Sequence, residues 1–132
     1  MIALTLLAMA IGGPHGPTVP ESCWKGFTTN GSNPGLNTMM FCITPGNAVE
    51  LRVYFPNTAI QEPPTTCLSR GRRMSAEGGA IRVVTVEGQC ENGSSMGPYD
   101  LTCTSDAKET LSCTYLLGSG KPINVKLEKI FP

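Results

Sequence analysis

The chain has 132 residues, with ten basic and ten acidic side chains, and its aromatic content is only 6%. A length of this order allows one domain, and the balanced charge excludes the basic field with which proteins hold nucleic acid or an anionic membrane. With 15 glycines, 11 prolines and six cysteines, the composition predicts a thin core that depends on covalent cross-links.

The N-terminal segment has the features of a secretory signal peptide. Residues 1–11 form an apolar run of suitable length, and small residues at Ala8, Ala10 and Gly12 offer cleavage sites. The run is too short to span a bilayer, which takes about 20 apolar residues in a helix. We therefore expect a signal peptide over residues 1–16, a single disulfide-rich β domain over residues 17–132, and a secreted, extracellular protein without a membrane span. A buried N-terminal segment is the alternative.

All the cysteines follow this segment, and their spacing indicates disulfides. They are Cys23, Cys42, Cys67, Cys90, Cys103 and Cys113. An even number of cysteines in a short secreted chain is typical of a disulfide framework. No CxxC pair occurs, which argues against a zinc ribbon or a thioredoxin-type site. Six cysteines can pair in many ways, and the sequence leaves the pairing open.

The first half of the domain predicts a β-hairpin. Residues 38–43 and 48–55 flank Thr44-Pro45-Gly46-Asn47, which is typical of a type II turn. Alternation in the second arm divides its residues between two faces. The inward residues are expected to be Val49, Leu51, Val53 and Phe55, and the outward residues Glu50, Arg52 and Tyr54.

Trp24 and a basic run are the most distinctive local features. Trp24, the single tryptophan, follows Cys23; we expect it to pack against a disulfide, with an exposed binding anchor as the alternative. Arg70-Gly71-Arg72-Arg73 is expected in a loop and resembles the recognition pattern of furin-type proteases, with cleavage after Arg73. The same run could bind heparan sulfate or an acidic partner, although charge runs commonly just face solvent.

The remainder of the chain predicts four more strands. Residues 80–86 are rich in β-branched side chains, as strands are, and a loop follows at 91–98. Three segments of strict alternation then predict an antiparallel meander. Their inward residues are Tyr99, Leu101 and Cys103, then Leu111, Cys113, Tyr115 and Leu117, then Ile123, Val125 and Leu127. The expected fold is all-β: a small disulfide-stapled antiparallel sandwich or barrel of about six strands, without substantial helix in the mature chain.

The sequence offers little catalytic chemistry. The only histidine, His15, lies in or just after the expected signal peptide, so the domain lacks the usual general base, triad partner and metal ligand. A glycosidase-type carboxylate pair would need two acids within about 5–9.5 Å, and the carboxylates lie mostly in predicted turns or on polar strand faces. We expect a non-enzyme without metal or cofactor. Asn30 and Asn92 each begin an Asn-Gly-Ser glycosylation motif.

Residues 88–93, Gly-Gln-Cys-Glu-Asn-Gly, followed by Gly97-Pro98 and Cys103, resemble the C-terminal half of the tick salivary evasins, which bind and neutralise chemokines. The class with eight cysteines would have further ones at Gly46, Val86 and Ser95, which are not cysteines here. The resemblance implies a fast-evolving secreted binding protein. Under that family's pairing, Cys42 and Cys90 would be partners.

These features predict a secreted, non-enzymatic protein that binds an extracellular protein, such as a host immune or signalling molecule, in the manner of an effector or immune-evasion protein. The candidate contacts are Trp24, Tyr54, Arg70, Arg72 and Arg73, and a glycosaminoglycan is a further possible partner. A carbohydrate-binding module is the alternative, although one tryptophan and three tyrosines supply few of the aromatic platforms it needs.

Overall fold

The fold is an all-β barrel. The computed structural model describes residues 20–28, 37–56, 64–107, 109–116, 120 and 122–131. The strands in these ranges are β1 (Ser22–Thr28), β2 (Asn37–Thr44), β3 (Ala48–Phe55), β4 (Thr65–Ser75), β5 (Ile81–Thr85), β6 (Gly88–Cys90), β7 (Ser95–Met96), β8 (Asp100–Ala107), β9 (Thr110–Leu116) and β10 (Pro122–Phe131). A 3-10 turn, Glu77–Gly79, is the only helical segment there. No described segment forms a helix with the length and apolarity needed to cross a membrane.

Eight strands close into an antiparallel barrel with an up-and-down course. Their order is β1, β2, β3, β4, β5, β8, β9 and β10, and β10 pairs with β1 to complete the ring. The other two, β6 and β7, form a small hairpin beside the first half of β4. The all-β, antiparallel class is therefore confirmed, whereas the expected count of about six strands is too low.

The two long strands that the sequence did not predict, β1 and β4, have glycine or a polar residue at several inward positions. In β1 the inward positions are Trp24, Gly26 and Thr28, and in β4 they include Ser69 and Gly71. Such positions leave no apolar alternation to detect. The expected loop at residues 70–73 is accordingly wrong, because these residues lie inside β4.

The barrel interior contains the hydrophobic core. Its largest fully buried side chains are Phe41, Met39, Leu51, Leu101, Leu127, Val49, Val53 and Val83. The expected faces of β3 are confirmed, since Val49, Leu51 and Val53 are buried and Tyr54 is exposed. The predicted meander is also confirmed as β8, β9 and β10, with its inward residues buried or packed against the core; Leu117 lies outside the described residues.

The loop between β2 and β3 has three residues, whereas a simple type II turn has two central residues. Gly46 has a φ of 84°, which glycine adopts without steric cost and which a type II turn requires. Asn47 also has a positive φ, 64°, and the pairing of Thr44 with Ala48 leaves three residues in the loop. The hairpin itself is as predicted.

All six cysteines form disulfides, and each bridge joins directly opposed residues of neighbouring strands. The pairs are Cys23–Cys42 between β1 and β2, Cys67–Cys90 between β4 and β6, and Cys103–Cys113 between β8 and β9. The Cα–Cα distances are 4.1, 3.9 and 4.0 Å respectively. The Cys42–Cys90 pairing implied by the evasin resemblance is therefore wrong for this chain.

The bridges lie on both sides of the barrel wall. Cys67, Cys103 and Cys113 belong to the buried core. In β2 the buried, inward residues alternate with less buried, outward ones, and Cys42 is one of the outward residues. The Cys23–Cys42 bridge therefore lies on the outer face. Each bridge links only adjacent strands, and the closure of the barrel depends on backbone pairing and core packing.

Candidate functional site

The outer face of β1–β3 carries an exposed aromatic row, Phe27, Thr38 and Tyr54. Phe27 pairs with Thr38, and Thr38 pairs with Tyr54. Directly opposed residues share one face, so the two rings stand two strands apart, about 10 Å. Phe27 is 61% exposed and Tyr54 is 41% exposed. Large aromatic side chains with this exposure on one face are a candidate contact surface.

An arginine cluster, Arg52, Arg70 and Arg72, lies on the same outer face. Arg52 is two residues along β3 from Tyr54, and Arg70 pairs with Glu50 across β3 and β4. The Glu50 carboxylate is 3.3 Å from Arg52 Nη2 and 3.4 Å from Arg70 Nε. All three side chains of these ion pairs are substantially exposed, so the pairs hold the guanidinium groups only weakly. Two arginines share one carboxylate, and Arg72 lies two residues beyond Arg70 on β4, so this face is positive.

Two of the predicted contact residues, Trp24 and Arg73, lie elsewhere. Trp24 is half-buried and packs against the barrel core, with Lys129 Nζ 5.6 Å from its ring centroid. Alternation along β1 puts Trp24 on the opposite face from Cys23, so it does not share a face with the Cys23–Cys42 bridge. Arg73 is half-buried, and its Nη1 donates to Asn47 Oδ1 at 3.3 Å. Of the five candidates, only Tyr54, Arg70 and Arg72 share the outer face.

The furin-type site is not accessible in the folded barrel. Arg73 pairs with Val83 and Met74 with Arg82 in the ladder between β4 and β5. The bond after Arg73 therefore lies within a paired strand, whereas proteolysis favours exposed loop tips. The basic run presents arginines on a strand and does not form a cleavable loop.

A second candidate site lies inside the barrel, at the end where β1 finishes and β2 begins. We call it the polar cluster, and its members are Thr28, Asn37, Ser69, Thr85, Tyr99 and Tyr115. The Thr28 and Tyr115 hydroxyls are 3.0 Å apart. The Tyr99 and Tyr115 ring centroids are 5.2 Å apart, and the Tyr99 backbone N–H donates to Thr85 Oγ1 at 2.9 Å. Five of the eight barrel strands contribute residues to this cluster, and Tyr99 adjoins β8.

Two members of the polar cluster have unpaired atoms. Asn37 and Ser69 are each only 3% exposed, and Asn37 Oδ1 and Ser69 Oγ have no hydrogen-bond partner. Buried polar atoms are nearly always paired, so these two call for an explanation. Sequence reasoning missed the cluster, although Asn37 lies in phase with the inward residues Met39 and Phe41 of its strand.

The tyrosines of the cluster are held neutral. Burial raises the pKa of Tyr99 to about 12, and the nearby Tyr115 adds to the shift. Burial also raises the pKa of Tyr115, against the opposing effect of its hydrogen bond to Thr28. This end of the barrel therefore has two aromatic rings with uncharged hydroxyls at physiological pH.

Alkaline pH is expected to destabilise the barrel through Tyr99. Its folded-state pKa of about 12 lies above the value of about 10 for an unfolded tyrosine. Neutral Tyr99 thus contributes its full stability below pH 10, and the contribution is lost as the pH rises through 12. Denaturant unfolding at a series of pH values should show this loss in the wild type and a smaller one in Tyr99→Phe. Tyr54→Phe, on the exposed face, is the control; an unchanged loss in Tyr99→Phe would contradict the prediction.

An arginine–aspartate ion pair and a shallow groove lie on the outer wall of the barrel. Arg82 donates two hydrogen bonds, of 2.8 and 2.6 Å, to the Asp100 carboxylate, which lower the pKa of Asp100. A shallow groove of about 350 Å³ between β9 and β10 is lined by polar residues such as Thr114 and Asn124. Among the described residues, no three His, Cys, Asp or Glu side chains form a group that could hold a metal ion.

Of the two glycosylation motifs, one lies within the described residues. Asn92 is exposed in the turn between β6 and β7. Its Oδ1 accepts hydrogen bonds from the Ser94 backbone N–H at 3.0 Å and from Ser94 Oγ at 2.6 Å. Asn30 lies outside the described residues.

Comparison with known proteins finds no matching family model, no significantly similar curated protein and no significantly similar solved structure.

Proposed function

We propose that this protein is a secreted, non-enzymatic binding protein, and that an extracellular protein docks on its outer face across β1–β4. The observation that carries this proposal is the aromatic row, with Phe27 61% and Tyr54 41% exposed on one face. Aromatic and arginine side chains dominate the binding energy of protein interfaces, and here both types occur together on the same wall of the barrel.

The charge of this face defines the partner. Arg52 and Arg70 share the carboxylate of Glu50, and Arg72 lies on the same face of β4, so among these four described residues positive charge prevails. A matching surface would carry acidic side chains opposite the arginine cluster and an apolar patch opposite the aromatic row. Complementary charge of this kind accelerates association and selects among partners. The ligand class is thus a protein with an acidic and apolar surface, including host immune or signalling molecules.

Secretion and the absence of catalysis are parts of the same proposal. Three disulfides are typical of oxidising, extracellular compartments, as is the signal peptide expected at residues 1–16. The carboxylates Glu50 and Asp100 are exposed and paired with arginines, an arrangement that supports a structural role for them. The resemblance to evasins, a family of secreted binding proteins, points to the same class.

Removal of the two rings is expected to weaken binding strongly. The intact disulfide-bonded protein is immobilised, partners are captured from extracellular fluid, and the affinity of each is measured by surface plasmon resonance. The double variant Phe27→Ala/Tyr54→Ala should bind the specific partner with an affinity about thirtyfold lower or more, as expected for aromatic hot-spot residues. Leu116→Ala is the matched control, because Leu116 is 66% exposed on β9, outside this face. A partner that binds the double variant as tightly as the wild type would refute the proposed surface.

A carbohydrate ligand is the second candidate, because two rings in one row are also the arrangement on which sugars stack. A glycan array separates the two candidates. Binding to a neutral glycan that is lost in Tyr54→Ala would favour the carbohydrate-binding module. Binding to heparan sulfate alone, lost in Arg70→Gln/Arg72→Gln, would assign the arginine cluster to a glycosaminoglycan instead.

A further inference from the structure

We infer that the polar cluster inside the barrel is a binding site for a neutral, mainly apolar small molecule that carries a hydroxyl or N–H donor. This site is separate from the outer face of β1–β4, and neither proposal depends on the other. An eight-stranded barrel has an interior that side chains fill or that holds one small ligand. The unpaired polar atoms at one end of the interior indicate that this barrel holds a small ligand.

The two unpaired atoms belong to one continuous set of neighbours. Asn37 is directly opposite Thr28, and the Thr28 hydroxyl contacts Tyr115. Tyr115 packs on Tyr99, whose backbone N–H is bonded to Thr85. Thr85 in turn pairs with Gly71, the inward position next to Ser69 on β4.

The threonine hydroxyl groups of this set are hydrogen-bonded, so the lack of a partner at Asn37 and Ser69 is a specific feature of these two residues. Thr85 accepts from Tyr99, and Thr28 and Tyr115 bond to each other. Asn37 Oδ1 and Ser69 Oγ, at the two ends of the set, have no partner. Leaving a buried acceptor unpaired is unfavourable for folding, so a group that supplies a donor here would be bound with a clear gain.

The chemistry of the ligand follows from these groups. The Asn37 amide oxygen can only accept a hydrogen bond, so the ligand must donate one, while the Ser69 hydroxyl can donate or accept. The rings of Tyr99 and Tyr115 supply an aromatic wall. Among the described residues that face this end of the interior, none is charged. A charged ligand would therefore lose its hydration without gaining a counter-charge, which selects a neutral molecule.

The test uses two probes that differ by one hydroxyl group, 2-naphthol and naphthalene, with the intact disulfide-bonded protein. Calorimetric or fluorescence titration should show saturable binding of 2-naphthol and binding of naphthalene about tenfold weaker, the equivalent of one hydrogen bond. Failure of both probes to saturate, or equal affinity for the two, would overturn the inference.

Single substitutions identify the residue that forms the hydrogen bond with 2-naphthol. Asn37→Leu conserves the size of the side chain and removes the acceptor. It should therefore lower the affinity for 2-naphthol about tenfold and leave the affinity for naphthalene unchanged. Ser69→Ala is the second test, and Thr102→Val, at an exposed position of β8 outside both proposed sites, is the control. The midpoint of thermal unfolding should rise in Asn37→Leu, since a buried unpaired acceptor is removed. A lower midpoint would show that this amide is paired in solution and would also overturn the inference.

Discussion

Reduction of the three disulfides is expected to unfold the barrel. The bridges span 19, 23 and 10 residues of sequence, and closing loops of this size in the unfolded chain contributes about 3 kcal/mol for each bridge. Together they supply about 9 kcal/mol, which is as large as the whole unfolding free energy of a typical domain, about 5–15 kcal/mol. A reduced chain of this composition should not keep a stable native state.

Circular dichroism of the reduced and alkylated protein tests this expectation, with the oxidised protein given the same alkylation treatment as the control. The reduced form should lose its β-sheet spectrum and its cooperative thermal transition. Single-bridge variants then rank the bridges. Cys67→Ala/Cys90→Ala opens the longest loop and removes a buried bridge, so it should be the most destabilising of the three pairs. A reduced protein with cooperative unfolding near that of the oxidised form would contradict the prediction.

Gly71→Ala is expected to destabilise the barrel by about 3 kcal/mol, as forced overpacking does. A Cβ at Gly71 would lie 1.9 Å from Val84 O and 2.6 Å from Thr85 Cα. Both are backbone atoms of the adjoining segment and cannot rotate away as a side chain would. The substitution must therefore separate β4 from β5, and with them the wall that presents Arg70 and Arg72.

Urea unfolding of the oxidised protein measures this effect. Gly97→Ala is the matched control, because a Cβ there meets no atom within 4 Å, and its stability should remain within about 0.5 kcal/mol of the wild type. An equal, small change in both variants would show that β4 and β5 are not closely paired at Gly71.

The candidate outer surface was only partly predictable. The outward position of Tyr54 follows from strict alternation in β3, and the structure confirms it. Phe27 was missed because β1 has glycine at an inward position and shows no apolar alternation. Residue type favours Trp24 and Arg73 as binding residues, yet both lie in half-buried positions of the folded barrel. Residue type does not reveal which face of a strand a side chain occupies when the alternation is interrupted.

The sequence by itself determined the all-β class, the bonding of all six cysteines and six of the strands, four of them from a regular apolar alternation. These properties are local, since inward and outward positions follow from a period of two along a single strand. The strands of the hairpin and of the C-terminal meander could therefore be predicted from a few neighbouring residues at a time.

Only the tertiary structure decided the closure of the barrel, the partners of the cysteines and the polar cluster. Closure pairs β1 with β10, from opposite ends of the chain, and the Thr28–Tyr115 contact joins residues 87 positions apart. No local pattern encodes such contacts, because they depend on how all eight strands pack around one core. The unpaired Asn37 and Ser69 become meaningful only when the barrel encloses them, because burial removes both side chains from bulk solvent.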